Sequence, residues 1–374
     1  MSSLSELKLN YSFIDTPYDM LYLCPGKTDT KSELKLDYKL CILSHLLGVL
    51  SVYIFPIIGS FGVVTNAIIC YIFTIKYQKK SRQTIFLTFL AFSDLLFIFS
   101  FGWLWLFPAK GLPYASGGSL YLFIININDI SCRIYRSFYM TCSTWVFGAF
   151  LLVCLDRMLA IYFPLKMMKM NFQFALIASI VMIFICIIVN NVYTGFIKWR
   201  KIASKIYCTL TIDNDPGLLE FMNLWRMLFV YSGVVPMIFI VLINISLIWK
   251  MILNQHQMKK LAKTSSKSER KEVRATVIVL ILSLLFLIGS VPNVGLYFLA
   301  NSIENIITDD IEIKNQLQLV YNLGDVGTHV FLWMESINII IYYIKMKRFR
   351  TEVNKIIRKK LKNNSLSYTI SNPT

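Results

Sequence analysis

Residues 156–165 read DRMLAIYFPL, an acid and a base followed by a mostly apolar run that carries no further charge. They end a long apolar stretch that covers residues 133–162. Charged side chains are costly inside the hydrocarbon layer of a membrane, so those found in apolar helices usually serve a function. The segment therefore predicts a membrane-crossing helix whose charged pair lies where the helix meets water.

The composition of the whole chain agrees with this prediction. Of its 374 residues, 56% are apolar and only 16% are charged, whereas soluble domains carry about 25% charged residues. Seven stretches come near the roughly 20 apolar residues that a bilayer requires. The predicted fold is an all-α membrane protein, a seven-transmembrane helix bundle. The predicted spans are 47–75, 83–108, 133–162, 172–195, 223–252, 273–300 and 317–343.

The basic residues predict the orientation of this bundle. With the N-terminus outside, the inner loops and tail hold 24 Lys and Arg against four acids, and the outer segments hold 14 against 15. Such a bias is typical of cytoplasmic loops, and because the charge flanks membrane spans we expect no nucleic-acid partner. We expect a multi-pass plasma-membrane protein with an extracellular tail (1–45), a seven-transmembrane domain (46–343), and a cytoplasmic amphipathic helix with a disordered tail (344–374).

The cysteines divide by compartment. Cys132 and Cys208 fall at the outer end of span three and in the second outer loop, where an oxidising environment favours a disulfide bond. Cys24 and Cys41 lie in the outer tail and are open to pairing or to remaining free. The same tail contains Asn10-Tyr11-Ser12, a sequon that predicts a glycoprotein if it is occupied.

Six of the spans carry short motifs whose order and spacing resemble those of the rhodopsin-like (class A) G-protein-coupled receptors, over about 300 residues. Each motif is weak alone, and their order across separate helices is the strong signal. The motifs are Gly62–Asn66, Leu90–Asp94, Cys132 with Asp156–Met158, Pro236, Phe286 with Pro292, and Asn338–Tyr342.

The chain also departs from the family pattern. Ser290 stands where the family has a tryptophan in span six, Ile339 replaces the proline of span seven, and Asn244 replaces a tyrosine of span five. Span four lacks its usual tryptophan. These departures leave the fold intact, and they put an aromatic toggle and a Tyr–Tyr water latch in doubt.

The resemblance implies a G-protein-coupled mechanism with no enzymatic activity. Arg157 is expected to pair with Asp156 at rest, and with Glu272 in a lock between helices, unless Glu272 is an ordinary surface acid. A ligand bound outside would free Arg157 for a heterotrimeric G protein, with arrestin and a receptor kinase as further partners. The residues assigned to coupling and the activation switch are Asp156, Arg157, Leu165, Glu272 and Tyr342.

An internal polar site is implied inside the bundle, formed by Asn66, Asp94, Glu335 and Asn338. Two facing carboxyl groups do not both stay ionised cheaply without a cation. We therefore expect either a bound sodium ion at Asp94 or one carboxyl that keeps its proton. The alternative is that Glu335 faces another polar group and never meets Asp94. No other cofactor is expected.

The outer half of the bundle is expected to bind the ligand. Amine receptors carry an acid where Tyr139 stands, and opsins need a lysine that span seven lacks, so amine and retinal ligands are disfavoured. Acids in the third outer loop, between residues 304 and 312, favour a cationic ligand, and we predict a neuropeptide. The assigned ligand-binding residues are Arg136, Tyr139, Ser143, Asn293, Tyr297, Asp325, Thr328 and His329.

Three other functions stay open. A class A receptor for a non-peptide small molecule fits the same motifs. A seven-helix transporter or channel would show two related halves with broken helices, and no such similarity is evident. An intramembrane enzyme would need a nucleophile–base pair or a metal cluster at one depth, for which the sequence offers Asp94 and Glu335 alone.

Overall fold

The computed structural model describes residues 38–76, 81–202, 205–210, 215–230, 233–260, 267–304 and 311–370, together with the isolated residues 17, 21 and 24. The long helices are α1 (Tyr38–Lys76), α2 (Arg82–Ala115), α3 (Asp129–Tyr162), α4 (Phe172–Thr194), α5 (Val234–Lys260), α6 (Lys267–Glu304), α7 (Ile311–Ser336 and Asn338–Lys345) and α8 (Lys347–Ile370).

These helices form the predicted seven-helix bundle, followed by α8. Within the described residues, α1 to α6 each contain a stretch long and apolar enough to cross a membrane. The charged and polar side chains of α7 make it less apolar, and α7 packs along α6 and α1. We call the end of the bundle that holds Cys132 the disulfide end, and the opposite end the Arg157 end.

Several helices are longer than predicted. α1 begins at Tyr38 and not at residue 47, and α3 begins at Asp129, where Asn128 caps the helix by accepting a hydrogen bond from the backbone N–H of Ser131. α2 does not end at residue 108. Instead, the helix continues past Pro108 through the wider π-helical turns of Ile98–Gly111. Pro108 has no N–H for the hydrogen bond of an α-helix, and the hydrogen bonds of π-helical turns join residues five positions apart instead of four.

The short helices Pro164–Lys169 and Pro216–Trp225 were not predicted, and neither was a two-stranded antiparallel hairpin that follows α4. Its strands are β1 (Ile197–Ile202) and β2 (Lys205–Leu210), and Trp199 lies opposite Cys208 in the register. β-Branched and aromatic residues favour strands, but they are common in both helical and extended segments of a chain this apolar. The disulfide bond between Cys132 and Cys208 fastens the hairpin to α3.

A second disulfide bond joins Cys24 to Cys41, which decides a pairing that the sequence left open. Both cysteines are buried with Leu21 against Tyr114 at the end of α2. The bond therefore attaches part of the N-terminal tail to the disulfide end of the bundle.

The core of the bundle is aromatic where α3, α6 and α7 meet. The ring of Phe286 lies 4.4 Å from that of Phe150, 5.1 Å from that of Phe147 and 5.5 Å from that of Phe331, measured between centroids. All four rings are buried. Ring pairs at these separations add to the stabilisation that comes from burial alone. These ring contacts thus pack α3, α6 and α7 together, and these helices carry most of the residues assigned to the activation switch and to ligand binding.

The Arg157 end is closed by a second aromatic group. Phe349 of α8 is fully buried, with its ring 5.5 Å from that of Phe73 in α1 and 5.8 Å from that of Tyr342 in α7. These contacts fix the start of α8 against the bundle.

Candidate functional site

A buried group of charges lies at the Arg157 end. Arg157 is bound to the carboxylate of its neighbour Asp156, with Nε donating to Oδ2 over 3.0 Å and Nη2 donating to the same oxygen. The side chains of Arg157 and Asp156 are 3% and 2% exposed. Arg82, at the start of α2, also forms an ion pair with Asp156, through Oδ1. Asp156 thus pairs with one arginine from its own helix and one from α2.

The short helix Pro164–Lys169 follows α3 and lies beside this group. Nη1 of Arg82 donates a hydrogen bond to the backbone carbonyl of Met167, whose side chain is buried. Leu165 points away from the bundle and is 76% exposed. An apolar side chain this exposed, at the polar end of a membrane bundle, is available to a protein partner.

The remaining residues assigned to the switch are placed less uniformly. Tyr342 is buried between the rings of Phe73 and Phe349. Glu272 belongs to α6, but its side chain lies outside the described residues, so the proposed lock with Arg157 stays a prediction. Asn244, which replaces the family's tyrosine, accepts a hydrogen bond of 2.9 Å from the hydroxyl of Ser283 and so joins α5 to α6 directly.

The internal polar site is assembled from α1, α2 and α7. The amide nitrogen Nδ2 of Asn338 lies 3.0 Å from Oδ2 of Asp94 and 3.3 Å from Oε2 of Glu335. Nδ2 of Asn66 donates to the backbone carbonyl of Glu335 over 3.2 Å. All four side chains are buried. The two acids therefore meet through one shared donor, which answers the open question about where Glu335 lies.

Two oxygens in this site lack a hydrogen-bond partner among the described residues. They are Oδ1 of Asp94 and Oδ1 of Asn66, and both are buried. A buried acceptor without a partner is unfavourable, and a small cation or a water molecule is the usual remedy.

At the disulfide end, α3 contributes one face of the candidate ligand site. Nη1 of Arg136 donates to the carbonyl of Cys208 over 3.1 Å, so the arginine is tied to the pinned hairpin. The ring of Tyr139 is buried and stacks nearly parallel to that of Trp105 of α2, with centroids 6.4 Å apart. Ser143 is half-buried further along α3.

The opposite face comes from α6 and α7, with an unexpected cation from α2. Asp325 accepts a hydrogen bond of 2.6 Å from the hydroxyl of Tyr297 on Oδ1, and its Oδ2 lies 3.3 Å from Nζ of Lys110. The Lys110 and Asp325 side chains are 10% and 7% exposed. Asn293 donates to the hydroxyl of Thr328.

His329 completes this face, one helical turn after Asp325. Its Nε2 lies 3.1 Å from the hydroxyl of Ser51 on α1, and its Nδ1 is buried without a partner among the described residues. The assigned ligand residues are thus already engaged in contacts that join α1, α2, α6 and α7. The acids at residues 304–312, which suggested a cationic ligand, have side chains outside the described residues, as does the sequon at Asn10.

Two charged residues that form buried ion pairs in these sites, Lys110 and Arg82, were not predicted from the sequence to belong to them. Lys110 lies just beyond the predicted end of span two at residue 108, yet a lone cation after a run of tryptophan and phenylalanine is a signal that points to it. Arg82 was counted among the basic residues of an inner loop. Nothing local distinguishes it from Lys79 or Lys80, because its partner Asp156 is distant in the sequence.

Comparison with known families agrees with this arrangement. The family model described as 7 transmembrane receptor (rhodopsin family) matches residues 65–342, which is most of the chain and includes α2 to α6. No curated protein sequence matches the chain. Members of the matched family are signalling receptors and not enzymes. The chain therefore belongs to the rhodopsin-like, or class A, family of G-protein-coupled receptors.

Proposed function

We propose that this receptor carries an extracellular neuropeptide signal across the plasma membrane to heterotrimeric G proteins. The disulfide end and the N-terminus would face outward, and the Arg157 end would face the cytoplasm. The observation that carries the proposal is the buried pairing of Arg157 with Asp156 beside the exposed Leu165. Movement of the surrounding helices would let the buried guanidinium of Arg157 leave Asp156 and bind another partner.

In the proposed mechanism, agonist binding at the disulfide end favours a state in which the Arg157 end of α6 lies farther from α3. Arg157 then leaves Asp156 and contacts the terminal helix of a G protein, while Leu165 packs on the G protein's surface. The Asn244–Ser283 hydrogen bond between α5 and α6 is a contact that this movement would break. A net hydrogen bond contributes about 1 kcal/mol, so it biases the equilibrium without blocking it.

Nucleotide exchange tests the proposal. The full-length receptor in lipid nanodiscs is mixed with purified heterotrimers that cover the major Gα classes, and exchange of GDP for a GTP analogue is measured. We expect the receptor to accelerate exchange on at least one heterotrimer. In Arg157→Ala the accelerated rate should fall about tenfold or more, which corresponds to the loss of about 1.4 kcal/mol of transition-state stabilisation.

Arg133→Ala is the matched control for this experiment. Arg133 lies on the same helix and pairs with Asp129, but its side chain is 50% exposed at the disulfide end, so its removal should leave exchange unchanged. Equal exchange by the native receptor and Arg157→Ala, or none by either, would contradict G-protein coupling through Arg157.

The ligand class is proposed from the disulfide end. A hairpin fastened to α3 gives an extended surface, and acids at 304–312 would attract a cationic peptide and speed its encounter. The ligand's buried part would contact the polar groups of Arg136, Tyr297, Asp325 and Thr328. A library of cationic and amidated peptides, read out as second messengers in cells, tests this, with Asp325→Asn expected to weaken the response. Activation by small metabolites and by no peptide would favour the small-molecule alternative.

A sodium ion fits the internal polar site. Asp94, Glu335 and Asn66 supply the hard oxygen atoms that such a cation prefers, and two of these oxygens are otherwise unpartnered. The ion would supply positive charge between the two carboxylates. Asn338 would hold both acids in place in either state, because its amide contacts both.

The C-terminal region is proposed to serve attachment and desensitisation. In α8, Lys347, Arg348 and Arg350 flank the buried Phe349, as expected of a basic amphipathic helix that lies on anionic lipid. Near the C-terminal end of α8, Ser365, Ser367 and Thr369 are proposed acceptors for a receptor kinase, and arrestin would bind the resulting phosphates.

A further inference from the structure

The carboxylate of Asp156 is shared by two arginines that come from different helices. Oδ1 pairs with Nε of Arg82, and Oδ2 accepts from Nε and Nη2 of Arg157. The side chains of Asp156 and Arg157 are buried, and that of Arg82 is largely buried, at 12% exposed. Each arginine therefore occupies its own oxygen, and neither has to move for the other to bind.

Arg82 has a second contact, with the segment that follows α3. Its Nη1 donates to the backbone carbonyl of Met167 over 2.5 Å, in the short helix that carries Leu165. A guanidinium group presents several donors in a fixed plane and can hold two acceptors at once, which a lysine ammonium does less well. Arg82 thus links α2, α3 and the short helix Pro164–Lys169, whose Leu165 is proposed to contact the G protein.

The charges in this group favour the release of Arg157. Two guanidinium groups around one carboxylate leave a net charge of about +1, and like charges in a poorly hydrated site repel each other. Removing the last partner of a buried carboxylate is strongly unfavourable. With Arg82 in place, the departure of Arg157 leaves Asp156 paired, so that penalty does not arise.

We infer that Arg82 is a positioning residue for coupling. It keeps Asp156 neutralised when Arg157 moves to a partner, and it holds the short helix Pro164–Lys169 in place in both states. This inference rests on the proposed coupling of Arg157 to a G protein. The contact between Arg157 and Asp156 is then the exchangeable part of this three-residue group, and the contact between Arg82 and Asp156 persists in both states.

Thermal unfolding tests the sharing of Asp156 without a ligand or a G protein. The melting temperature of the full-length receptor in nanodiscs is measured for Arg82→Ala, Arg157→Ala, the double variant, and the double variant with Asp156→Asn. We expect small losses for each single variant and a loss for the double variant that exceeds their sum, because only there is Asp156 stranded. Asp156→Asn should restore most of it.

Additive losses would overturn the inference, since two arginines that shared no acid would behave independently. If the double variant does not fold, recovery of folding by Asp156→Asn supports the inference, and failure to recover contradicts it. Arg82→Lys combined with Arg157→Ala should melt above the double alanine variant, because the ammonium still neutralises Asp156. Melting at the same temperature would contradict this.

Hydrogen exchange tests the second half of the inference. Amide exchange in residues 163–170, measured by mass spectrometry on the full-length receptor, should be faster in Arg82→Ala and in Arg82→Lys and unchanged in Arg157→Ala. Unchanged amide exchange in Arg82→Ala would show that Arg82 does not hold the short helix Pro164–Lys169 in place. Because these measurements involve no G protein, they fail or succeed separately from the nucleotide-exchange test of the proposed function.

Discussion

Asn338 of α7 and Asp94 of α2 are joined by a hydrogen bond of 3.0 Å from the amide Nδ2 to the carboxylate Oδ2. The same nitrogen lies 3.3 Å from Oε2 of Glu335. One uncharged amide therefore stands between two buried acids, and it can neutralise neither of them. Two ionised carboxylates at one site repel each other strongly unless a cation or a proton intervenes.

We predict that sodium stabilises the receptor through Asp94. When sodium chloride replaces choline chloride at constant ionic strength, the melting temperature should rise. At a sodium concentration ten times the dissociation constant, the gain is about 1.4 kcal/mol. Asp94→Asn should abolish the difference between the two salts. Ser44→Ala is the control, because the Ser44 hydroxyl is also buried and donates to a backbone carbonyl, that of Leu40, near the disulfide end of α1 and away from the acid pair. A native receptor that melts alike in both salts would contradict a sodium site.

The Lys110–Asp325 ion pair carries the second prediction. Both side chains are largely buried, so Asp325→Asn leaves an ammonium group without its partner. The expected loss in the free energy of unfolding is about 3–5 kcal/mol. Lys110→Gln with Asp325→Asn should recover most of it, because two neutral amides can bond to each other and to Tyr297. Chemical denaturation of the purified receptor measures both.

The exposed pair between Arg133 and Asp129 provides the control for that prediction. Its side chains are half exposed, and such pairs contribute about 0–1 kcal/mol. A loss in Asp325→Asn no larger than the loss in Arg133→Ala would show that Lys110 does not depend on Asp325.

Much of this architecture could be predicted from the sequence, because the motif residues mark at least one position on six of the seven helices. The meeting of Asp94, Asn338 and Asn66 follows from their order along the chain, once a seven-helix bundle is assumed. The lengths of the apolar stretches located the helices but not their ends, since α1 begins at Tyr38 and not at residue 47, and α5 begins at Val234 and not at residue 223.

The Arg82–Asp156 and Lys110–Asp325 pairs could not be predicted, since each joins residues far apart in the chain. Their formation depends on how far a helix extends. Pro108 ends a helix by local rules, and only the π-helical turns of α2 place Lys110 within reach of α7. The hairpin at Ile197–Leu210 was not predicted, because apolar β-branched residues are common in both strands and membrane helices and do not distinguish them.

Two buried serines of α6 yield a matched prediction. Ser290, in place of the family's tryptophan, is fully buried, and its hydroxyl has no partner among the described residues. Ser283 donates to Asn244 over 2.9 Å. Ser290→Ala should leave stability unchanged or raise it by about 1 kcal/mol, because an unsatisfied hydroxyl is removed. Ser283→Ala should lower it by about 1–2 kcal/mol. Equal effects in denaturation experiments would contradict the assigned hydrogen bond.

The close contact of α1 with α7 at Gly62 gives the last prediction. A Cβ atom at Gly62 would overlap the hydroxyl of Ser336 and lie 2.8 Å from Cδ1 of Ile98. Gly62→Ala should therefore destabilise the receptor by about 1–3 kcal/mol through overpacking, and Ser336→Gly in the same chain should recover part of the loss. Gly295 of α6 is the control, since a Cβ atom there meets nothing within 4 Å. Gly295→Ala should raise stability by about 0.5–1 kcal/mol, the helix preference of alanine over glycine. If both substitutions shift the melting temperature in the same direction, α1 and α7 are not packed as closely as this contact requires.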